Sequence, residues 1–382
     1  MPDSPTKTRR VKWTFILLGI LSICATDLYA RPEQLRVGFL CQGTTDDPFW
    51  KQVVTVMQAA ADDLNVKLVI RYVSTGNSAM FKKLGDQLLD SKPRIDFLLT
   101  KYVESITATH IKRAKTRGIG VFVFNSDIPA SEYSTVGRLP REKYSNWIGH
   151  LVPNDRQAGY DLAQALIDRS IQLKGPDHGA IHVLALDSPY ESTVGMNRRA
   201  GLLAKIRETP DAELQDIVIT NWGRGSSITR KMVKLMQRYQ NTDVIWSPNE
   251  AITRSAVQTM EQFGRIPGKN VVIGGFDWNP ENIRAIVDGR ISALMFGHFL
   301  EGAWALILTH DYYYGFDFAD DPGIRVDTPL FVLNADNYPQ YRKLLQGDDW
   351  GKIDFRKFSK KYNDHLDKYN FDIRQFLIQF HD

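Results

Sequence analysis

Several short clusters in this chain combine aromatic rings with hydrogen-bonding groups, and each follows an apolar run. Gly43-Thr44-Thr45-Asp46-Asp47-Pro48-Phe49-Trp50 sets two carboxylates, a turn-setting proline and two adjacent aromatics just after the run Arg36–Cys41. Asn125-Ser126-Asp127 follows Ile119–Phe124. Further on come Ser188-Pro189-Tyr190, Arg198-Arg199, Trp222-Gly223-Arg224, Pro248-Asn249-Glu250 and Asp277-Trp278-Asn279. Rings of this kind can stack on the C–H face of a compact polyol, while carboxylates, Asn and Arg satisfy its hydroxyls. A buried hydroxyl left unpaired costs about 1–3 kcal/mol, so such a solute needs many short polar side chains around it. Asp and Arg supply the stronger, charge-assisted bonds.

Each of these residues also has a plainer reading. Asp46 or Asp47 can start the turn and cap the following helix. At least one of Phe49 and Trp50 is expected in the core, on the inner face of that helix. Asn249 can serve as a cap, Asp277 as a turn residue, Trp222 as core at an edge, and Arg199 as a solvated helix charge. An enzyme would instead show one nucleophile or one general base held by an orienting group. Gly118-Ile119-Gly120 precedes a strand rather than following one, so it is no dinucleotide fingerprint, and Gly223-Arg224-Gly225-Ser226-Ser227 lacks the lysine of a phosphate loop. His178 and His182 have no Cys or carboxylate cluster beside them, so no metal is expected. No Gly-x-Ser-x-Gly elbow is present, and no cofactor is expected.

The elements that must position these clusters read as an alternation. Short apolar runs of four to eight residues are predicted at Arg36–Cys41, Val66–Val73, Ile95–Thr100 and Ile119–Phe124. Helices are predicted at Phe49–Leu64, Ser78–Asp90 and Glu104–Arg117. The stretch Pro129–Asn146 is polar and reads as a long loop. The alternation resumes with a helix over Asn154–Ser170 and strands at Ala180–Leu186, Ile217–Trp222, Val244–Trp246, Val271–Phe276, Ser292–Phe296 and Thr328–Leu333. Continuous rather than alternating apolarity indicates strands buried on both faces, as in parallel sheets. Two such series imply an α/β fold of two doubly wound parallel-sheet lobes, with ligands beyond the carboxyl ends of the strands. The tail from Asp336 reads as a helical appendage that lays an aromatic face on the body, or alternatively as a partner-binding surface.

Composition narrows the class. The chain has 382 residues, too many for one compact core and about right for two lobes. Its formal net charge is +4 with no basic stripe, so nucleic acid is not an expected partner. Lys7, Arg9, Arg10 and Lys12 precede an apolar run from Trp13 to Ile23, and Leu28-Tyr29-Ala30 ends in a small residue. That is a secretory signal pattern over 1–30. Removal of that segment would leave Cys41 as the one cysteine, expected as a buried, inert thiol. Export without disulfides fits a periplasm.

At these residues the chain resembles the type I periplasmic sugar-binding proteins, the ribose-binding and autoinducer-2-binding group among ABC-type substrate-binding proteins. Asp47-Pro48-Phe49-Trp50 looks like that family's Asn-Pro-Phe-aromatic loop, and Ile273-Gly274-Gly275-Phe276-Asp277 is similar to its Gly-Phe-Asp turn. Ser247-Pro248-Asn249-Glu250 stands where the family has Asn-Asp at a helix start, and Asn197-Arg198-Arg199-Ala200-Gly201 resembles its Arg-x-x-Gly helix. The resemblance implies that Phe49 and Trp50 stack on the ligand, with Asp47 and Asn125 bonding its hydroxyls. It implies Arg198, Asn249 and Asp277 as partners from the second lobe, Trp222 as a facing aromatic and His298 as a further polar contact. It implies a lobe of 31–151 plus 298–327, a lobe of 152–297 plus 328–345, a hinge between them and an aromatic tail over 346–382. A small sugar-like ligand, an inner-membrane permease or a sensor kinase or cyclase as partner, and a monomeric free state complete the expectation.

The sequence departs from the family pattern at Asn125, which replaces the aspartate of ribose binders, and at Asp47, which replaces their asparagine. DNA-binding repressors of related fold are not expected, because no helix-turn-helix pattern precedes Leu35. The alternative reading is a sugar-acting hydrolase with Asp47 and Asp277 as paired carboxylates; a third is an interaction protein with an empty cleft. The leader yields a first test. Intact mass of the protein recovered from the periplasm of an expressing cell should begin at Arg31, and a product retaining residues 1–30 would contradict the signal reading.

Overall fold

The computed structural model describes residues 34–379 apart from 178, 191, 221, 223–226 and 347–349, so the expected leader and Arg224 lie outside the described residues. The first series runs β1 (Leu35–Cys41), α1 (Pro48–Asp63), β2 (Val66–Tyr72), α2 (Ser78–Leu89), β3 (Phe97–Thr100), α3 (Ile106–Lys115) and β4 (Gly120–Phe124). A short helix α4 (Tyr133–Val136) follows within the stretch read as a loop, and then β5 (Trp147–Pro153). The second series is α5 (Asp155–Lys174), β6 (Ile181–Asp187), α6 (Thr193–Glu208), β7 (Ala212–Ile219), α7 (Ser227–Arg238), β8 (Val244–Trp246), α8 (Glu250–Gln262), β9 (Val272–Phe276), α9 (Pro280–Val287) and β10 (Ala293–Phe296). The chain ends with α10 (Glu301–Tyr313), β11 (Arg325–Thr328), β12 (Phe331–Leu333), α11 (Tyr338–Gln346) and α12 (Arg374–Gln379).

Two six-stranded sheets result, in the orders β11-β5-β4-β3-β1-β2 and β12-β10-β9-β8-β6-β7. The two orders correspond strand for strand, so each lobe has its switch point between its first and third strands, where the chain reverses direction across the sheet. Residues just beyond β1 and β3 in one lobe, and beyond β6 and β8 in the other, therefore edge the crevices where doubly wound sheets bind ligands. The central strands are buried on both faces: every residue of β3, β5, β8, β9 and β10 is buried.

Three details differ from the sequence reading. The run Thr328–Leu333 is two strands, not one: β11 pairs parallel with β5 in the first sheet, while β12 pairs antiparallel with β10 in the second. Pro329 lies at the break, where a residue without an N–H cannot continue a ladder. The strand β5 was not read at all, because Gly149 and His150 interrupt its apolar character; His150 is nonetheless fully buried and bonded to the Ser126 carbonyl at 2.8 Å. The strand expected over Ile217–Trp222 ends at Ile219, so Trp222 stands beyond it with φ of 59°.

The chain passes between the sheets after β5, after β10 and between β11 and β12. One buried carboxyl sits where these passages meet. Glu301, 1% exposed, accepts from Thr328 Oγ1. The same hydroxyl faces the Val152 carbonyl at 3.3 Å, and the Asn154 amide donates to the Thr328 carbonyl at 2.8 Å.

The second lobe is drawn together by two glycines. A Cβ on Gly159 of α5 would fall 2.0 Å from the Arg198 carbonyl, and one on Gly201 of α6 would fall 2.0 Å from the Arg156 carbonyl. The two helices thus touch backbone to backbone. Replacing Gly201 by Ala should therefore lower the unfolding free energy by about 1–3 kcal/mol in urea titrations, although Ala gains roughly 0.5–1 kcal/mol over Gly in an unconstrained helix. A stabilised Gly201→Ala protein would contradict the close approach.

Candidate functional site

The carboxyl end of β1 turns into α1 through Asp47, which caps the helix by accepting from the Trp50 amide at 3.1 Å. Pro48 occupies the first helical position, where its missing N–H costs nothing. The capping role falls on Asp47 rather than on Asp46, which is exposed. The two aromatics part company. Trp50 is 6% exposed, with its ring lying over Gly43 and beside Phe39 at 6.2 Å. A Cβ on Gly43 would sit 2.3 Å from the indole, so the glycine makes room for it. Phe49 remains half-buried and stacks on the His298 imidazole, with ring centroids 4.7 Å apart at 26°. Trp50 thus takes the core place expected of one member of the pair.

On the second lobe, Arg198 is 2% exposed and answered on every side. Its Nε donates to Asp155 Oδ1 at 2.7 Å and its Nη1 to the Pro248 carbonyl at 2.9 Å. Its guanidinium lies 3.8 Å from the centroid of the Phe276 ring, and Nη2 is 3.5 Å from His298 Nε2. The close packing of α5 on α6 brings Asp155 and Arg198 within reach of each other. Asp277 follows β9 with φ of 63°, and its Oδ1 is 3.2 Å from His298 Nε2. Asn249 caps α8 by accepting from the Ile252 amide at 3.0 Å and donates to the Trp222 carbonyl at 3.2 Å. Asn125 is buried at the end of β4 with φ of 65°, against the Glu301 carboxyl.

His298, Asp277, Arg198 and Phe49 therefore form one contiguous group; Asp47 is near enough to Asp277 to repel it, while Asn249 bonds the Trp222 carbonyl and Asn125 meets Glu301. Trp222 enters through its backbone carbonyl. Arg199, read as a solvated helix charge, instead pairs with the fully buried Asp187 and lies 5.0 Å from the Tyr190 ring. The two lobes also touch directly. Gln52 donates to the Trp278 carbonyl at 3.0 Å, and Thr193 Oγ1 to the Asp127 carbonyl at 3.3 Å.

Three buried charges of this region were missed by sequence reasoning. Lys101 follows β3, Asp155 opens α5 and Glu301 opens α10. Two of them sit just past strands at a sheet switch or lobe passage, which is the signal that could have found them. Among the described residues, no three of His, Cys, Asp and Glu are arranged to hold a metal ion.

Burial governs the protonation of this region. It pushes Glu250 up to about 7, with Asp47 adding repulsion across the lobes. It raises Asp277 well above the ordinary carboxylate range, against the pull of Arg198 and with added repulsion from Glu250, Asp47 and Asp155. It lowers His298 well below the ordinary imidazole range, and Arg198 lowers it further. The imidazole is then neutral at pH 7, with its Nε2 facing both Arg198 Nη2 at 3.5 Å and Asp277 Oδ1 at 3.2 Å. Lys101 is pushed down to about 8 by burial, with Asp155 opposing. Glu301 is pushed up to about 8 by burial and by Asp155, against the bonds from Thr328 and Asn125. The buried Cys41 thiol is likewise raised, so it is no nucleophile.

A carboxyl with a raised folded-state value binds its proton more tightly folded than unfolded. Its contribution to stability is present at low pH and lost as pH rises through the folded value. Lys101, pushed down to about 8, and the buried His110, His150 and His298, all lowered, act in the opposite sense across about pH 6.5–8, so the part of Glu301 is read as a difference between the wild type and a variant without that carboxyl. The melting temperature of the wild type relative to that of Glu301→Gln should fall as pH rises from about 6.5 to 8. An unchanged slope in the variant would show that Glu301 is already ionised at pH 6.5.

A family model described as a periplasmic binding protein domain matches residues 37–312. A periplasmic sugar-binding protein from Pseudomonas fluorescens aligns over 90% of this chain and 99% of its own, with 27% identity and a TM-score of 0.79. The arabinose-transporter binding protein of Shewanella sp. ANA-3, solved with α- and β-L-arabinofuranose, covers 81% of this chain and 96% of its own at 19% identity and a TM-score of 0.68. The galactofuranose-binding protein YtfQ of Escherichia coli (strain K12) is 22% identical over 114 residues, 29% of this chain and 36% of that protein, so the match spans about a third of its length. With the matched domain filling most of the chain and two corresponding sheets meeting at one polar group, this protein belongs to the periplasmic binding protein family, as a type I member with the fold of its sugar-binding branch.

Proposed function

We propose that the chain is a non-enzymatic periplasmic receptor whose lobes close round one small sugar and present the closed form to an inner-membrane ABC permease or sensor protein. The observation that carries this is the contiguous group Phe49–His298–Asp277–Arg198, which joins the first lobe to the second through the hinge. Phe49 offers a ring for the apolar face of a sugar. Asp277, Asn125, Asn249 and Lys101 offer acceptors and donors for its hydroxyls. The buried Nδ1 of His298 has no protein hydrogen-bond partner, and neither has Nε1 of Trp278; a hydroxyl-rich solute would satisfy such atoms. A ligand that touches both lobes only when they are closed shifts the hinge by its differential affinity for that state. The relatives solved or named with furanose sugars make a pentose or hexose in furanose form the first candidate. A hydrolase with Asp47 and Asp277 as its carboxylates has no observation behind it, since Asp47 is committed to capping α1.

Melting curves of the mature protein with L-arabinose, D-galactose, D-ribose and D-allose test this reading. At ligand about a hundredfold over Kd the protein should gain about 2.7 kcal/mol of stability. Replacing Asp277 by Asn should weaken the binding sugar by roughly tenfold to a hundredfold, the worth of one charge-assisted bond. No shift with any sugar, and no small molecule retained in native mass spectrometry, would sink the receptor reading.

A further inference from the structure

The tail does more than cover the body. It leaves β12 at the edge of the second sheet, and α11 lays Tyr341 edge-on against Phe296 at 5.1 Å. Phe296 is the last residue of β10, two positions before His298. Trp350, 5% exposed, then meets Phe299 at 5.9 Å and 69°. Phe299 in turn meets Trp278 at 6.3 Å and 84°. Phe299 directly follows His298, and Trp278 directly follows Asp277. One aromatic chain, Trp278–Phe299–Trp350, is thus joined through chain neighbours to His298 and Asp277.

The far end of the segment is fastened to the first lobe. Trp304 of α10 is sandwiched between Phe371 at 4.7 Å and Phe376 at 4.8 Å, and Phe376 also touches Trp350 at 5.8 Å. The Phe355 amide donates to Asp63 at the end of α1, at 2.7 Å. Asp311, fully buried, accepts from the Lys360 amide at 2.6 Å and from the Tyr369 hydroxyl at 2.8 Å. A buried carboxylate holding several donors is costly to unfasten. The domain match ends at residue 312, so the tail segment itself lies beyond it.

We infer that the C-terminal segment is a strap spanning the hinge, anchored on one lobe by α11 and on the other by Trp304 and Asp311, and that Trp350 acts through Phe299 as a positioning residue for His298 and Asp277. The inference rests on the receptor reading only for what His298 and Asp277 do once positioned. A strap of this kind fixes the imidazole before a sugar arrives, which lowers the ordering cost of binding. It also gives each lobe a hold on the other that the hinge strands do not provide.

Hydrogen–deuterium exchange of the full mature chain, with no sugar present, tests the positioning directly. Trp350→Ala should speed exchange about three- to tenfold in peptides covering 294–301 and 276–282, the factor equivalent to one aromatic pair. Peptides from α2 (Ser78–Leu89), remote from the strap, should be unchanged, and Trp350→Phe should restore the wild-type rates. Faster exchange confined to 350–379, or spread equally into α2, would overturn the inference. If Trp350→Ala fails to fold, Trp350→Leu is read by the same criteria. A wild-type protein that binds no sugar would remove the receptor reading while leaving the exchange result decisive for the strap. If L-arabinose raises the melting temperature of the wild type, its Kd for Trp350→Ala should rise by a similar factor and return with Trp350→Phe.

Discussion

A guanidinium taken out of water is the constraint round which the second lobe is arranged. Arg198 cannot shed its proton, so burial at 2% exposure would cost several kcal/mol unless every edge of the group is met. The partners that meet it come from four places: the start of α5, the turn before α8, the last residue of β9 and His298, two residues after β10. Satisfying one cation thus fixes the relation of four segments, and the two glycines of the α5–α6 contact make that possible. Asp277 and His298 inherit their places from the same arrangement.

The gap between the lobes carries an excess of acid. Asp47 on the first lobe repels Glu250 and Asp277 on the second, and burial raises both of the latter. Left to themselves these groups resist the approach of the lobes. Protons, or hydrogen-bond donors from a solute, remove that resistance. Glu301 plays a different part, since it is bonded by Thr328 and Asn125 where the chain passes between the lobes.

The alternation of strands and helices was legible because strands buried on both faces are written as unbroken apolar runs, as in Phe97–Thr100 and Val272–Phe276. Where a polar residue is buried by a tertiary partner, the run breaks and the strand disappears from view, as His150 shows. The division of 328–333 between two sheets could not be read, because both halves are short and their partners are more than 30 residues away in sequence. At the site, the loop positions stood out by type, yet the sequence did not distinguish Trp50, under Gly43, from Phe49, against His298. Lys101, Asp155 and Glu301 looked like ordinary strand-end and first-turn charges, since their burial is a property of the assembled lobes.

The three passages between the sheets carry a consequence for how the molecule comes into being. The first sheet takes its edge strand from Arg325–Thr328, and the helix α10 that covers it begins at Glu301. A chain emerging from the ribosome therefore makes β6 to β10 of the second lobe before it can finish the first. Contacts so distant along the chain are slow to form, so the first sheet keeps an open edge at β5 until Arg325–Thr328 has been made.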